Sequence, residues 1–156
     1  YCTAKNIFFA NISDFPSNIR HYIAEQSKRY LENDSIFIFF KTLESLRVEN
    51  KLHTINTSKI TNDTPKTDIL YDDNYVWIES VNVFAKIKLA CQNEGISFDL
   101  SRQELYQKLE SEKLLITKDN RRSYEYRKGQ FRQSVICLPR NNINRYLTYD
   151  KEDIKL

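Results

Sequence analysis

The sequence predicts an α+β fold built on a winged helix-turn-helix, and three observations carry the prediction. Between Ser101 and Cys137 a capped helix, a strand-like Leu114-Leu-Ile116, a basic turn Lys118-Asp-Asn-Arg-Arg-Ser123 and two strand-like runs follow in winged-helix order. The first half shows the order helix, helix, strand, loop, strand. This points to two winged-helix-like units in tandem, residues 1–70 and 71–140, followed by a tail at 141–156. Finally, 156 residues with 40% hydrophobic and 29% charged side chains suit a globular chain with a real core.

Taken in order, Cys2 to Ala10 is apolar and aromatic and reads as a strand or extended arm. Ser13-Asp-Phe-Pro16 starts a helix, with proline early in its first turn. Ile19, Tyr22, Ile23 and Tyr30 then share one face. Asn33 or Asp34 caps the next helix, where Ile36, Phe39, Phe40, Leu43 and Leu46 recur at spacings of three and four up to about Asn50. Ile36–Phe40 alone also fits a strand. The continuation through Leu46 favours helix. Leu52–Ile55 reads as a strand, and the polar stretch 56–68 as a hairpin tip or a linker. Ile69–Tyr71 and Tyr75–Ile78 form two short strands around the turn Asp72-Asp-Asn74. Val81, Phe84, Ile87, Lys88 and Cys91 outline another helix, which Gly95 ends. Ser101-Arg-Gln-Glu104 is a capping box opening the helix that ends at Glu112. Tyr124–Arg127 and Phe131–Leu138 are strands, broken at Lys128-Gly129, and a short last helix lies around Ile143–Leu147.

Composition excludes several function classes. Only Gly95 and Gly129 are glycine, so glycine-rich phosphate loops are absent, and no nucleotide-binding or nucleophile-elbow motif is present. His21 and His53 lack metal-ligand neighbours, and the three cysteines show no metal or disulfide spacing. Neither a metal, a cofactor nor a catalytic residue is therefore expected. Cys2, Cys91 and Cys137 read as reduced thiols in a cytosolic protein, Cys91 and Cys137 as core filler. The longest apolar run, Ile36–Phe40, is five residues, far short of a membrane span. The chain contains no methionine and starts at Tyr1, which reads as a fragment of a larger protein.

Charge is uneven. Residues 1–80 carry a balance of −2 and residues 81–156 a balance of +5, and Lys113–Arg132 holds seven basic residues against two acidic ones. Net charge speaks to partners rather than to fold. On the helix opened by Ser101, Leu105 and Leu109 face the core. Gln103 and Gln107 then point outward, Tyr106 and Lys108 lie at the edges, and Arg102 reaches solvent on its long stem. Arginine and glutamine can make paired contacts to base edges. Lys118, Arg121 and Arg122 are expected at the wing tip, and Arg127, Lys128 and Arg132 on its strands and second turn, all suited to phosphates. The expected partner is double-stranded DNA. Competing readings are a charged but solvated hairpin, a protein-docking winged helix using Tyr106, Phe131 and the acidic first half, and a repressor dimerised through the tail.

The run Tyr71-Asp-Asp-Asn-Tyr-Val-Trp-Ile78, the helix closed by Gly95, the helix ending Leu-Glu-Ser-Glu-Lys-Leu-Leu-Ile116, Arg121-Arg122 and the hairpin ending Val135-Ile-Cys-Leu138 form a set. Together with Phe39–Leu46 and Lys51–Ile55, they resemble the C-terminal region of helicase or primase-helicase proteins of mobile elements, such as staphylococcal cassette chromosomes, phages and plasmids. The resemblance covers roughly Ile36 to Leu138. It implies winged-helix elements that follow a motor domain, a DNA-binding accessory role at an origin, and contacts with that motor or another replication protein. The family's nucleotide-binding motifs are absent here, so the resemblance implies a part that is not itself the motor.

Overall fold

The computed structural model describes residues 34–144 together with Ile19 and Tyr146. The arm expected at Cys2–Ala10, His21, the helix expected over 13–30 apart from Ile19, and most of the tail 141–156 lie outside the described residues. The chain divides into two compact units, Tyr1–Asp34 and Ser35–Leu156. The sheet and its helices all belong to the second.

That unit is α+β. Its elements are α1 (Ser35–Val48), β1 (Thr54–Asn56), a 3₁₀ turn (Thr57–Lys59), β2 (Ile69–Tyr71), β3 (Tyr75–Glu79), α2 (Asn82–Asn93), α3 (Arg102–Ser111), β4 (Tyr124–Lys128), β5 (Phe131–Pro139) and α4 (Arg140–Ile143). The five strands form one sheet in the order β1-β2-β3-β5-β4. β1 runs parallel to β2, and the other pairings are antiparallel. The boundary expected at residue 70 therefore falls inside β2. Strands from both sides of it share one sheet, and one core runs from Ile36 to Ile143. Residues 35–143 are a single unit, not two in tandem.

Alternation along the strands sorts side chains between two faces. Ile69, Val76, Ile78, Ile136 and Leu138 join the helices in the main core, where Phe39, Phe40, Leu43, Ile87, Leu105 and Leu109 are buried. Leu70, Trp77, Val135 and Cys137 point the other way, into a second cluster with Ile60 and Phe131. Among the described residues, Cys91 and Cys137 are free and buried, one in each cluster.

Local rules explain where the helices begin and end. The region Ile36–Phe40 is helical, and the expected face of α1 is buried, with Ile38 and Thr42 added to it. All three long helices end alike, with a left-handed residue whose N–H bonds three back while the next N–H bonds five back. The left-handed residues are Asn50, Gly95 and Lys113. α2 is rotated from expectation. Val83, Ile87 and Cys91 are its buried residues, whereas Val81 precedes the first turn and is 50% exposed.

At the start of α3 the Ser101 hydroxyl accepts from the Glu104 N–H (3.3 Å), and the Glu104 carboxylate accepts from the Ser101 N–H (2.7 Å). That hydrogen bonding holds the Glu104 carboxyl below its usual range. Replacing Ser101 with alanine is expected to cost about 1 kcal/mol of stability, read as a lower urea midpoint. The Asp72-Asp-Asn74 turn forms as expected, its Asp72 carboxylate accepting from the N–H groups of Asn74 and Tyr75. No helix among the described residues is long and apolar enough to cross a membrane.

Candidate nucleic-acid interface

α3 buries Leu105, Tyr106 and Leu109 and exposes Arg102, Gln103, Gln107 and Lys108. The helix is tied to the sheet through Ser80. The Tyr106 hydroxyl donates to the Ser80 carbonyl at 2.7 Å, and an Arg102 N–H approaches the same oxygen at 3.4 Å. Ser80 in turn meets Ser134 on β5, hydroxyl to hydroxyl at 2.9 Å and N–H to carbonyl at 3.2 Å. Tyr106 is thus a packed anchor at the base of α3, and its burial pushes its phenol pKa up.

Two residues along β5 from Ser134, on the same sheet face, stands Arg132, paired across the ladder with Arg127. Both are exposed. They stand on the face that carries the helices, on the strand whose Ser134 meets Ser80 and on its neighbour. Glu125 lies opposite Ser134 and its carboxylate accepts from Arg127 at 2.6 Å. That exposed ion pair offsets part of the positive charge. The Arg132 side chain has no hydrogen bond or ion pair among the described residues. Glu125 escaped the sequence reading, although the Glu-x-Arg spacing on a strand places both on one face.

The other cations sit elsewhere. Lys118 and Arg121 close a two-residue turn with mutual backbone hydrogen bonds, and Asp119 and Asn120 both have positive φ, as a type I′ hairpin requires. This turn precedes β4 and is not the tip of the hairpin. The tip is Gly129-Gln130, between the paired Lys128 and Phe131, with Gly129 in the left-handed region. Four strand steps from Tyr124 to Lys128, roughly 14 Å, separate the two groups. Lys118 lies over the Tyr124 ring at 5.4 Å, and Arg122 donates to Glu110 at 2.6 Å. The Arg121 side chain is exposed and has no such partner among the described residues.

Two more expected positions differ. Lys128 pairs with Phe131 and so stands on the far face of the sheet, where it donates to the carbonyls of Thr57 and Ser58. Lys108 reaches toward α1, donating to Ser35 at 2.9 Å. The docking surface expected around Tyr106 and Phe131 is not there, since these residues are 7% and 4% exposed in two separate clusters. Both are large residues that helical and strand alternation turn inward. No known family model matches the chain, and no curated protein matches it in sequence.

Proposed function

We propose that the unit over residues 35–143 is a winged-helix DNA-binding module, a non-catalytic, cytoplasmic accessory domain of a mobile-element replication helicase. The observation that carries this reading is the exposed cross-strand pair Arg127 and Arg132 on the helix-bearing sheet face. Arg132 lies on the strand whose Ser134 meets the Ser80 that Arg102 and Tyr106 of α3 also contact. In this reading α1, α2 and α3 are the helical core, and β3, β5 and β4 are the three-stranded wing sheet. α3, about 15 Å long, enters the major groove with Arg102, Gln103 and Gln107 toward base edges. Arg127 and Arg132 neutralise phosphates at the end of α3 nearest Arg102. Lys118 and Arg121 supply a second contact beyond its other end, with Arg122 partly neutralised by Glu110.

Titration of a labelled duplex at about 50 and about 200 mM salt tests the reading. Arg127→Ala with Arg132→Ala is expected to weaken binding roughly tenfold or more, and to lower the salt slope by about 1.8, two phosphates at about 0.9 each. Unchanged affinity and slope end the proposal. A second reading, docking on a motor domain or replication partner, is favoured by two exposed apolar residues, Val81 just before α2 and Leu89 on it, 50% and 58% exposed. Capture of such a partner unaffected by the double arginine variant, in a chain that binds no duplex, selects it.

A further inference from the structure

The polar stretch 57–67 does not project as a loop. It crosses the sheet face away from the helices and reaches the β4–β5 tip. Ile60 is buried there with Leu70, Trp77 and Phe131. Lys128 donates to the carbonyls of Thr57 and Ser58. The Asn62 side-chain oxygen accepts from the Gln130 N–H at 3.2 Å, inside the turn itself. The approach is close, because a Cβ on Gly129 would lie 2.6 Å from that oxygen. At the far end of the stretch, Gln133 brackets Thr67, accepting from its N–H (2.9 Å) and donating to its carbonyl (2.5 Å). The Thr67 hydroxyl is tied to the His53 carbonyl at 2.6 Å. The segment is therefore fixed along its length, and it grips the hairpin from behind.

We propose that residues 57–67 are a strap that pre-organises the hairpin for DNA, with Asn62 and Lys128 as positioning residues and not phosphate contacts. The proposal rests on the DNA-binding reading above. A two-stranded ribbon standing alone is marginally stable in water. One that must be ordered on binding loses affinity to that ordering. The strap removes the cost in advance, so that Arg127 and Arg132 already stand paired on the helix-bearing face when a phosphate backbone arrives. The ammonium of Lys128 is spent on two carbonyls of the strap, on the sheet face opposite the arginine pair.

The test uses the full chain with Asn62→Ala and, separately, Lys128→Gln. Both side chains are exposed, so neither change opens the core. In Asn62→Ala, amide exchange at Gln130 is expected to rise roughly fivefold, the worth of one hydrogen bond. Duplex affinity is expected to fall roughly two- to tenfold. The salt slope stays the same in both variants, since the same phosphates are neutralised. A slope lowered by about 0.9 in Lys128→Gln makes that ammonium a phosphate contact and overturns its positioning role. Unchanged exchange and affinity in Asn62→Ala overturn the strap. A wild-type chain that binds no duplex overturns the DNA reading and the presenting role together, whereas faster Gln130 exchange in Asn62→Ala still supports the ordering role.

Discussion

Replacement of Phe40 by alanine is expected to remove about 4 kcal/mol of stability, a large share of the roughly 5–15 kcal/mol that holds a typical domain folded. Phe40 is completely buried on α1. Its ring meets Phe39 edge-on at 5.1 Å and stacks on Tyr146 at 4.7 Å, with 16° between the planes. Truncation removes the transfer free energy of a whole ring, leaves a cavity, and breaks two aromatic pairs worth about 0.5–1.5 kcal/mol each. α1 packs against both α2 and α3, so the void opens at the centre of the helical layer. Urea denaturation reads the loss as a lower midpoint with the slope unchanged. A loss below about 1 kcal/mol would contradict the packing of α1 described here.

Gln133→Leu is expected to cost about 3 kcal/mol, although leucine is apolar and close to glutamine in size. The position is 3% exposed, as is Thr67. The glutamine amide satisfies both backbone groups of Thr67, 66 residues away in sequence. Leucine leaves that N–H and that carbonyl buried without partners, at about 1–3 kcal/mol each. The hydrophobic gain at the site is smaller than this penalty. The same urea measurement decides the matter. A variant as stable as wild type would mean that water or a shifted backbone re-pairs both groups.

Local chemistry made the helices and most strands legible. The Ser101–Glu104 box, Gly95 and the Phe39–Leu46 spacing each encode their element within a few residues, and each is observed. Leu52–Ile55 was two residues early for β1, because a three-residue edge strand carries little alternation. The hairpin tip was misplaced because two turns compete within a dozen residues. The charged Lys118–Arg121 turn looked like a wing, but Gly129, with its positive φ, marks the tip. At the candidate site, Arg102, Gln103 and Gln107 were read correctly as exposed. Alternation puts Lys128 on the face opposite Arg127, but nothing local revealed that 57–67 covers that face. Those contacts join residues about seventy apart, and a polar stretch rich in Thr, Asn and Lys looks the same whether it packs or dangles.

The strand order also dictates when this unit is able to close. β3 lies between β2, which immediately precedes it, and β5, whose Pro139 pairs with Tyr75. On a ribosome adding about 5–20 residues per second, β3 emerges seconds before its second neighbour exists. Through that interval the β3 edge that will pair with β5 stands open, the condition under which chains adhere to one another. Synthesis of the last strand thus ends a vulnerable period, and only then does Gln133 become available to hold Thr67.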